Sequence, residues 1–86
     1  MNINQLVEIV KNKLHNNIVC DNIEIQDKTF LHKSHASHDK NKFHIKLIIT
    51  SDYLKKKNKI QSTKEIYKIL EKELKYNIHS IQILIN

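Results

Sequence analysis

The chain has 86 residues and a formal net charge of +6, which is enough for one domain and too short for a second core. It contains no glycine, and this excludes phosphate-binding loops, dinucleotide-binding turns, nucleophile elbows and EF-hand loops, since all four need glycine. The single cysteine, Cys20, excludes an internal disulfide and an all-cysteine metal cage built from one chain. The positive charge is compatible with nucleic acid, an anionic membrane surface or an acidic protein partner.

The first predicted element is an amphipathic helix over residues 4–15, which Asn2 or Asn4 can cap. Its apolar stripe consists of Ile3, Leu6, Val7, Val10 and Leu14. The segment carries the acidic Glu8, and no apolar run in the chain approaches ~18 residues, so we infer neither a signal peptide nor a membrane span. We expect a protein without membrane association, located in the cytoplasm, or in an organelle if a targeting segment is missing from the sequence.

A short half-buried strand is predicted where Ile23 and Ile25 alternate with polar neighbours. The next segment, residues 28–41, has no periodicity and should form a long loop, an element that often carries function in a small domain. It contains His32, His35 and His38. Histidine is the commonest side-chain ligand for transition metals, so the cluster suggests coordination or proton chemistry. A solvated loop is the alternative interpretation.

The clearest predicted strand is KFHIKLIIT, residues 42–50, whose period of two separates an apolar face from a face shared by His44 and Lys46. The segment SDYLKKKN is compatible with a short helix before a loop at residues 57–61. A capping box of Ser62 and Glu65 then predicts a helix over residues 63–75. The apolar stripe of that helix consists of Ile66, Ile69, Leu70 and Leu74.

The final segment, NIHSIQILIN, predicts a strand with His79 at the start of its more apolar face. A helical crossover makes the second and third strands parallel, while the first two form a long-looped hairpin. The predicted fold class is therefore an α/β (α+β) sandwich, with a three-stranded mixed sheet and helices on one face. Residues 1–86 should form a single domain.

Five lysines lie close together in the stretch YLKKKNKIQSTK. They are Lys55, Lys56, Lys57, Lys59 and Lys64. The run is interpreted either as a solvated turn between elements or as a basic docking surface, and the sequence leaves both open.

The stretch HKSHASHDKNKFHIKLIITSDYL, followed by IYKILEKELKYNIHSIQI, resembles the BolA family over roughly residues 18–85. The resemblance implies a class II KH-like fold with the element order αββααβ. It also implies an adaptor, not an enzyme, that binds a monothiol glutaredoxin and helps to hold a bridging [2Fe-2S] cluster for iron–sulfur trafficking or iron regulation. No cluster is expected in the isolated chain, which should be a monomer or a weak homodimer.

The resemblance also implies two metal ligands. A histidine just before the last strand matches His79, and a loop histidine or cysteine falls on His35 when positions are counted back without gaps from ITSDYL. The loop's usual proline and glycine are absent here, which leaves His32 and His38 as alternative ligands. The predicted parallel pairing agrees with this carry-over, because it brings the start of the third strand near the loop before the second. His44 is expected to be structural.

The second functional hypothesis is a nucleic-acid-binding transcription regulator that uses the basic surface. KH domains clamp nucleic acid with a Gly-x-x-Gly loop, whereas the equivalent stretch here, residues 57–61, contains no glycine. Binding through lysines alone would be weak and strongly salt-dependent. Catalysis is the least favoured hypothesis, because Ser34 beside His35 does not make a triad.

Overall fold

The computed structural model describes residues 1–32 and 42–86, except for the side chains of residues 31 and 32. Along the chain it contains α1 (Ile3–Asn17), β1 (Asn22–Asp27), a 3-10 turn (Thr29–His32), β2 (Phe43–Thr50), α2 (Asp52–Lys55), α3 (Lys59–Ile69), α4 (Glu71–Tyr76) and β3 (Ile78–Ile85). This α+β arrangement around a three-stranded mixed sheet confirms the predicted fold class. None of the helices in the described ranges has the length and apolar character needed to cross a membrane.

The sheet has the strand order β1-β2-β3. β1 pairs antiparallel with β2, from Asn22 opposite Thr50 to Asp27 opposite Ile45, which confirms the predicted hairpin. β2 pairs parallel with β3, which confirms the predicted crossover. Because the two strands are parallel, their first residues lie at the same end of the sheet.

The start of β3 departs from the regular alternation. Phe43 lies opposite Ile78, but the next residue of β2, His44, lies opposite Ser80, so His79 is an extra residue in the pairing. Ile78 consequently enters the core, with 2% of its surface exposed, while His79 is exposed. The prediction that His79 begins the more apolar face was therefore wrong, because one extra residue reverses the inward and outward positions at the strand start.

The core lies between the sheet and the helices, and it is built from aliphatic side chains. The fully or almost fully buried members include Leu6, Val10 and Leu14 of α1, Ile45, Leu47 and Ile49 of β2, and Ile66 of α3 with Leu70 directly after it. These positions lie on the apolar faces predicted from the sequence. Each such side chain contributes roughly 1.5–3 kcal/mol when it is fully buried, so the helix stripes hold α1 and α3 on the sheet.

Asn2 caps α1 in a capping box, in which its side chain accepts from the Gln5 amide at 2.9 Å and the Gln5 side chain accepts from the Asn2 amide at 2.9 Å. Further along α1, the Lys13 ammonium donates to both carboxylate oxygens of Glu73 at 2.9 and 2.8 Å. Glu73 is only 4% exposed. This ion pair therefore joins α1 to α4 at a buried carboxylate.

The helix predicted over residues 63–75 begins earlier and is divided. Asn58 caps α3, because its side chain accepts from the Gln61 amide at 2.9 Å. Ser62 lies inside the helix, is 1% exposed and donates its hydroxyl to the Leu54 carbonyl at 2.8 Å. The predicted capping box at Ser62 was thus wrong, since that hydroxyl binds α2 instead. α3 and α4 are separated at Leu70, whose backbone leaves the helical region.

Candidate functional site

Two imidazoles meet where the parallel strands begin. His44 is the second residue of β2 and His79 the second residue of β3, and their ring centroids lie 4.8 Å apart with the ring planes tilted by 56°. The Phe43 amide donates to the Asn77 carbonyl at 2.9 Å and fixes the two strand starts together. His79 therefore lies beside the first residues of β2.

His44 is held from several sides. The residue is 5% exposed, and its Nδ1 atom is hydrogen-bonded to the Ser80 hydroxyl at 2.6 Å. Its amide donates to the Thr29 hydroxyl at 3.2 Å, and its carbonyl accepts from the Lys28 amide at 2.7 Å. The ring that faces His79 is therefore fixed in position by β3 and by the segment after β1.

Sequence reasoning assigned His44 a structural role because it shares a strand face with Lys46. In the structure His44 also contacts His79 closely, which could not be predicted from the strand face on which His44 lies. The signal that points to it is the pairing of two strands that each carry histidine at the second position, combined with their parallel direction.

A pocket of about 250 Å³ adjoins His44. Lys28 and Lys46 line it, together with Ser80. Two lysines in the pocket that adjoins His44 disfavour a bare cation there and favour a ligand or metal complex with net negative charge. The pocket beside His44 is therefore basic.

The side chains of the other predicted ligands lie outside the part of the chain that the structure describes. His35 and His38 lie outside the described residues, and His32 ends the 3-10 turn with a side chain that is also outside them. Within the described part of the chain, no group of three or more His, Cys, Asp or Glu side chains is arranged to hold a metal ion. His44 and His79 are too few to complete a tetrahedral metal site, so such a site would need further ligands.

Cys20 is a poor candidate for a thiolate ligand. Its Sγ atom lies 3.5 Å from Nδ1 of His15. Burial raises the pKa of the Cys20 thiol, and the negative charge of Asp21 raises this pKa further. Because the thiolate is the form that binds metals and attacks electrophiles, Cys20 is kept in its unreactive state near neutral pH.

Three of the five predicted docking lysines line a groove of about 310 Å³ at the far end of β3. We call it the lysine groove; its walls are Lys55, Lys57 and Lys59 with the neighbouring α2 and α3 residues Leu54, Ser62 and Thr63, and Ile83–Ile85 of β3. Lys56 and Lys64 are exposed but are not among the lining residues. The predicted basic surface is thus partly gathered into one concave site.

Lys57 differs from the other two lysines of the groove. Its ammonium lies 3.5 Å from a carboxylate oxygen of Glu65 and 4.6 Å from the centre of the Tyr53 ring. A side-chain hydrogen bond with Tyr53 is the main cause that raises the pKa of Lys57, and Glu65 adds to it. Lys57 is therefore a cation that is already paired within the protein.

Comparison with known proteins gives a consistent result. A family model described as BolA-like protein matches residues 14–86. The BolA domain of SufE1 from Arabidopsis thaliana is 26% identical, with a TM-score of 0.77 over 100% of this chain and 93% of that chain. BolA1 from Arabidopsis thaliana is 22% identical, with a TM-score of 0.75 over 92% of this chain and 87% of that chain. BolA1 from Mus musculus is 17% identical, with a TM-score of 0.71 over 90% and 60%. No curated protein matches the chain.

Proposed function

This chain belongs to the BolA-like family, and we propose that it is an adaptor that binds a monothiol glutaredoxin and holds a bridging [2Fe-2S] cluster with it, for iron–sulfur trafficking or iron regulation. The observation that carries the proposal is the contact between His44 and His79, at 4.8 Å between ring centroids. The contact supports the proposal because His79 lies beside a second, buried imidazole at one end of the sheet.

In this proposal His79 ligates the cluster, because its ring is the exposed member of the pair. His44 is the buried neighbour that positions His79. The hydrogen bond between His44 and Ser80 holds the His44 ring in place for this contact. His35 remains the proposed second ligand, with His32 and His38 as the alternatives. Thiolates from the partner complete the coordination. Histidine in place of cysteine raises the reduction potential of such a cluster.

The basic surroundings support the same proposal. With two histidine and two thiolate ligands, a [2Fe-2S] core is neutral when oxidised and carries one negative charge when reduced, and net charge is one of the factors that set its potential. Lys28 and Lys46, which line the pocket beside His44, offset such charge. The chain contributes ligation and docking, and the proposal assigns it no catalytic step.

The test is reconstitution. The protein is mixed anaerobically with a monothiol glutaredoxin, iron, sulfide and glutathione, and the products are separated by size and measured by visible absorption and circular dichroism. We expect a heterodimer with a [2Fe-2S] spectrum that changes or disappears with His79→Ala. His15→Ala is the matched control, because His15 is an exposed histidine at the end of α1. A spectrum that is identical for His79→Ala and wild type would refute the ligand assignment.

A nucleic-acid-binding regulator is the second candidate, and the observation that favours it is the positive charge that Lys55, Lys57 and Lys59 bring together. This alternative predicts that affinity for a random oligonucleotide survives His79→Ala but falls steeply between low and physiological salt. A salt titration with both proteins separates the two candidates, because cluster binding depends on His79 and phosphate binding does not.

A further inference from the structure

β3 is an edge strand with one side of its backbone turned away from the sheet. The Asn86 amide donates to the Ile49 carbonyl, and the Asn86 carbonyl accepts from the Ser51 amide. The backbone N–H and C=O groups of Asn86, and of every second residue before it along β3, therefore point toward β2. The intervening residues Ile81, Ile83 and Ile85 then direct their amides and carbonyls outward. None of the backbone hydrogen bonds between elements of the described chain uses these outward groups. Such an edge is a template for another strand.

The lysine groove adjoins this edge. Its floor is apolar, with Leu54 and the β3 residues Ile83–Ile85, and its rim carries lysines. Lys55 and Lys59 form no ion pair with any described residue, whereas Lys57 is paired with Glu65. Leu84 is 44% exposed. The groove thus offers two unpaired cations and exposed aliphatic surface beside unused backbone donors and acceptors.

We propose that the outer edge of β3 over residues 81–85 and the lysine groove together bind an extended acidic peptide segment of a partner protein, which adds to the sheet as a fourth strand. The main-chain hydrogen bonds supply affinity that is independent of sequence. Acidic side chains that reach Lys55 and Lys59 supply selectivity and faster association.

The chemistry of the groove favours a peptide over nucleic acid. Single-stranded nucleic acid is held largely by stacking of bases on aromatic rings, and the residues that line the groove include no aromatic side chain. An outward strand edge, in contrast, presents alternating N–H and C=O groups that match an extended peptide backbone.

The lysine groove and the histidine pair lie toward opposite ends of β3. Leu84 lies five positions after His79, which corresponds to roughly 16 Å along a strand. The acidic side chains of a bound peptide therefore contact lysines at the end of β3 that lies away from His79. The inference does not depend on the proposed cluster function, and either one can fail without the other.

The first experiment uses a short fluorescein-labelled peptide of alternating Glu and Val with blocked ends. We expect it to bind the full chain by fluorescence anisotropy and to shift the amide resonances of Ile81, Ile83 and Ile85. Two further peptides of the same sequence carry N-methyl groups on every second backbone amide, one on the odd-numbered residues and one on the even-numbered residues. Only one of these two peptides should bind, because only one set of amides pairs with the edge. Equal binding of both methylated peptides would overturn strand addition.

The second experiment tests the lysines. Lys55→Glu combined with Lys59→Glu should weaken peptide binding by about tenfold or more, since two attractive contacts become repulsive. The matched control combines Lys11→Glu with Lys72→Glu, which lie on α1 and α4 and lower the net charge equally. The control should bind like wild type. Equal loss in both variants, or binding of an oligothymidine probe in preference to the acidic peptide, would overturn the proposal.

Discussion

The imidazoles of His44 and His79 lie 4.8 Å apart because β3 carries one extra residue at its start. Without it, the regular pairing of Ile45 with Ile81 would continue back to Phe43 and His79, and His79 would point toward the core. The irregularity turns His79 to the side of the sheet where His44 lies, and Ile78 takes the inward position instead. A local bulge that re-aims one side chain is a common feature beside functional sites.

Removal of the Ser80 hydroxyl should loosen the His44 ring. Ser80→Ala deletes the 2.6 Å hydrogen bond to Nδ1 of His44, and we expect a loss of about 1 kcal/mol in the free energy of unfolding. Urea denaturation measures this value. Gln82→Ala, an exposed position two residues along β3, is the control and should change stability by less than about 0.5 kcal/mol. Equal effects of the two substitutions would show that the hydrogen bond does not hold His44.

The ion pair between Lys13 and Glu73 should contribute to the docking of α4 on α1. Lys13→Met leaves the Glu73 carboxylate, which is 4% exposed, without its cation. We expect a loss of about 1–2 kcal/mol in the free energy of unfolding. This loss is smaller than that for a fully buried ion pair, because the Lys13 side chain is 37% exposed. Adding Glu73→Met should restore most of the stability, since no charge then remains buried. A double variant that is less stable than Lys13→Met would contradict this explanation.

The N-terminus of α3 can be located by substitution. Asn58→Ala removes the side chain that accepts from the Gln61 amide, and we expect it to cost about 1 kcal/mol. Thr63→Ala lies inside α3 and should be neutral or slightly stabilising, because alanine is the better helix former. Thermal or urea unfolding of both variants decides between this cap and the one predicted at Ser62. A neutral Asn58→Ala would contradict the observed helix start.

The reactivity of Cys20 should depend on pH in a defined direction. Because burial and then Asp21 raise its pKa in the folded protein, alkylation of the folded chain should begin at higher pH than alkylation of the urea-unfolded chain. The same shift means that ionisation of Cys20 at alkaline pH favours unfolding, so its contribution to stability is lost as pH rises. Asp21→Asn should move the profile only partway back, since burial is the larger cause. Iodoacetamide rates across pH provide the measurement, and faster reaction in the folded chain would contradict it.

The sequence predicted the features that depend on periodicity. The stripes of Leu6, Val10 and Leu14 in α1 and of Ile45, Leu47 and Ile49 in β2 are buried as the spacing indicated. The parallel pairing of β2 with β3 followed from the helical crossover between them. These predictions succeed because the burial of an aliphatic face dominates the energy of a small domain.

The predictions that failed depend on contacts between elements distant in sequence or on a local irregularity. Ser62 is a residue type that often caps helices, but its hydroxyl donates to the Leu54 carbonyl of α2. This hydrogen bond depends on the packing of α2 against α3. The position of His79 depends on one unpaired residue in β3. Neither of these features leaves a periodic signal in the sequence.

Pulsed electron paramagnetic resonance can show whether His79 ligates a cluster that the chain shares with a glutaredoxin. The chain is prepared with ¹⁵N-histidine, combined with an unlabelled glutaredoxin, iron, sulfide and glutathione, and reduced. We expect ¹⁵N coupling to the cluster in the wild type and in His15→Ala, and a weaker or absent coupling in His79→Ala. A reduced cluster without ¹⁵N coupling in the wild type, or with an unchanged coupling in His79→Ala, would contradict this ligand assignment.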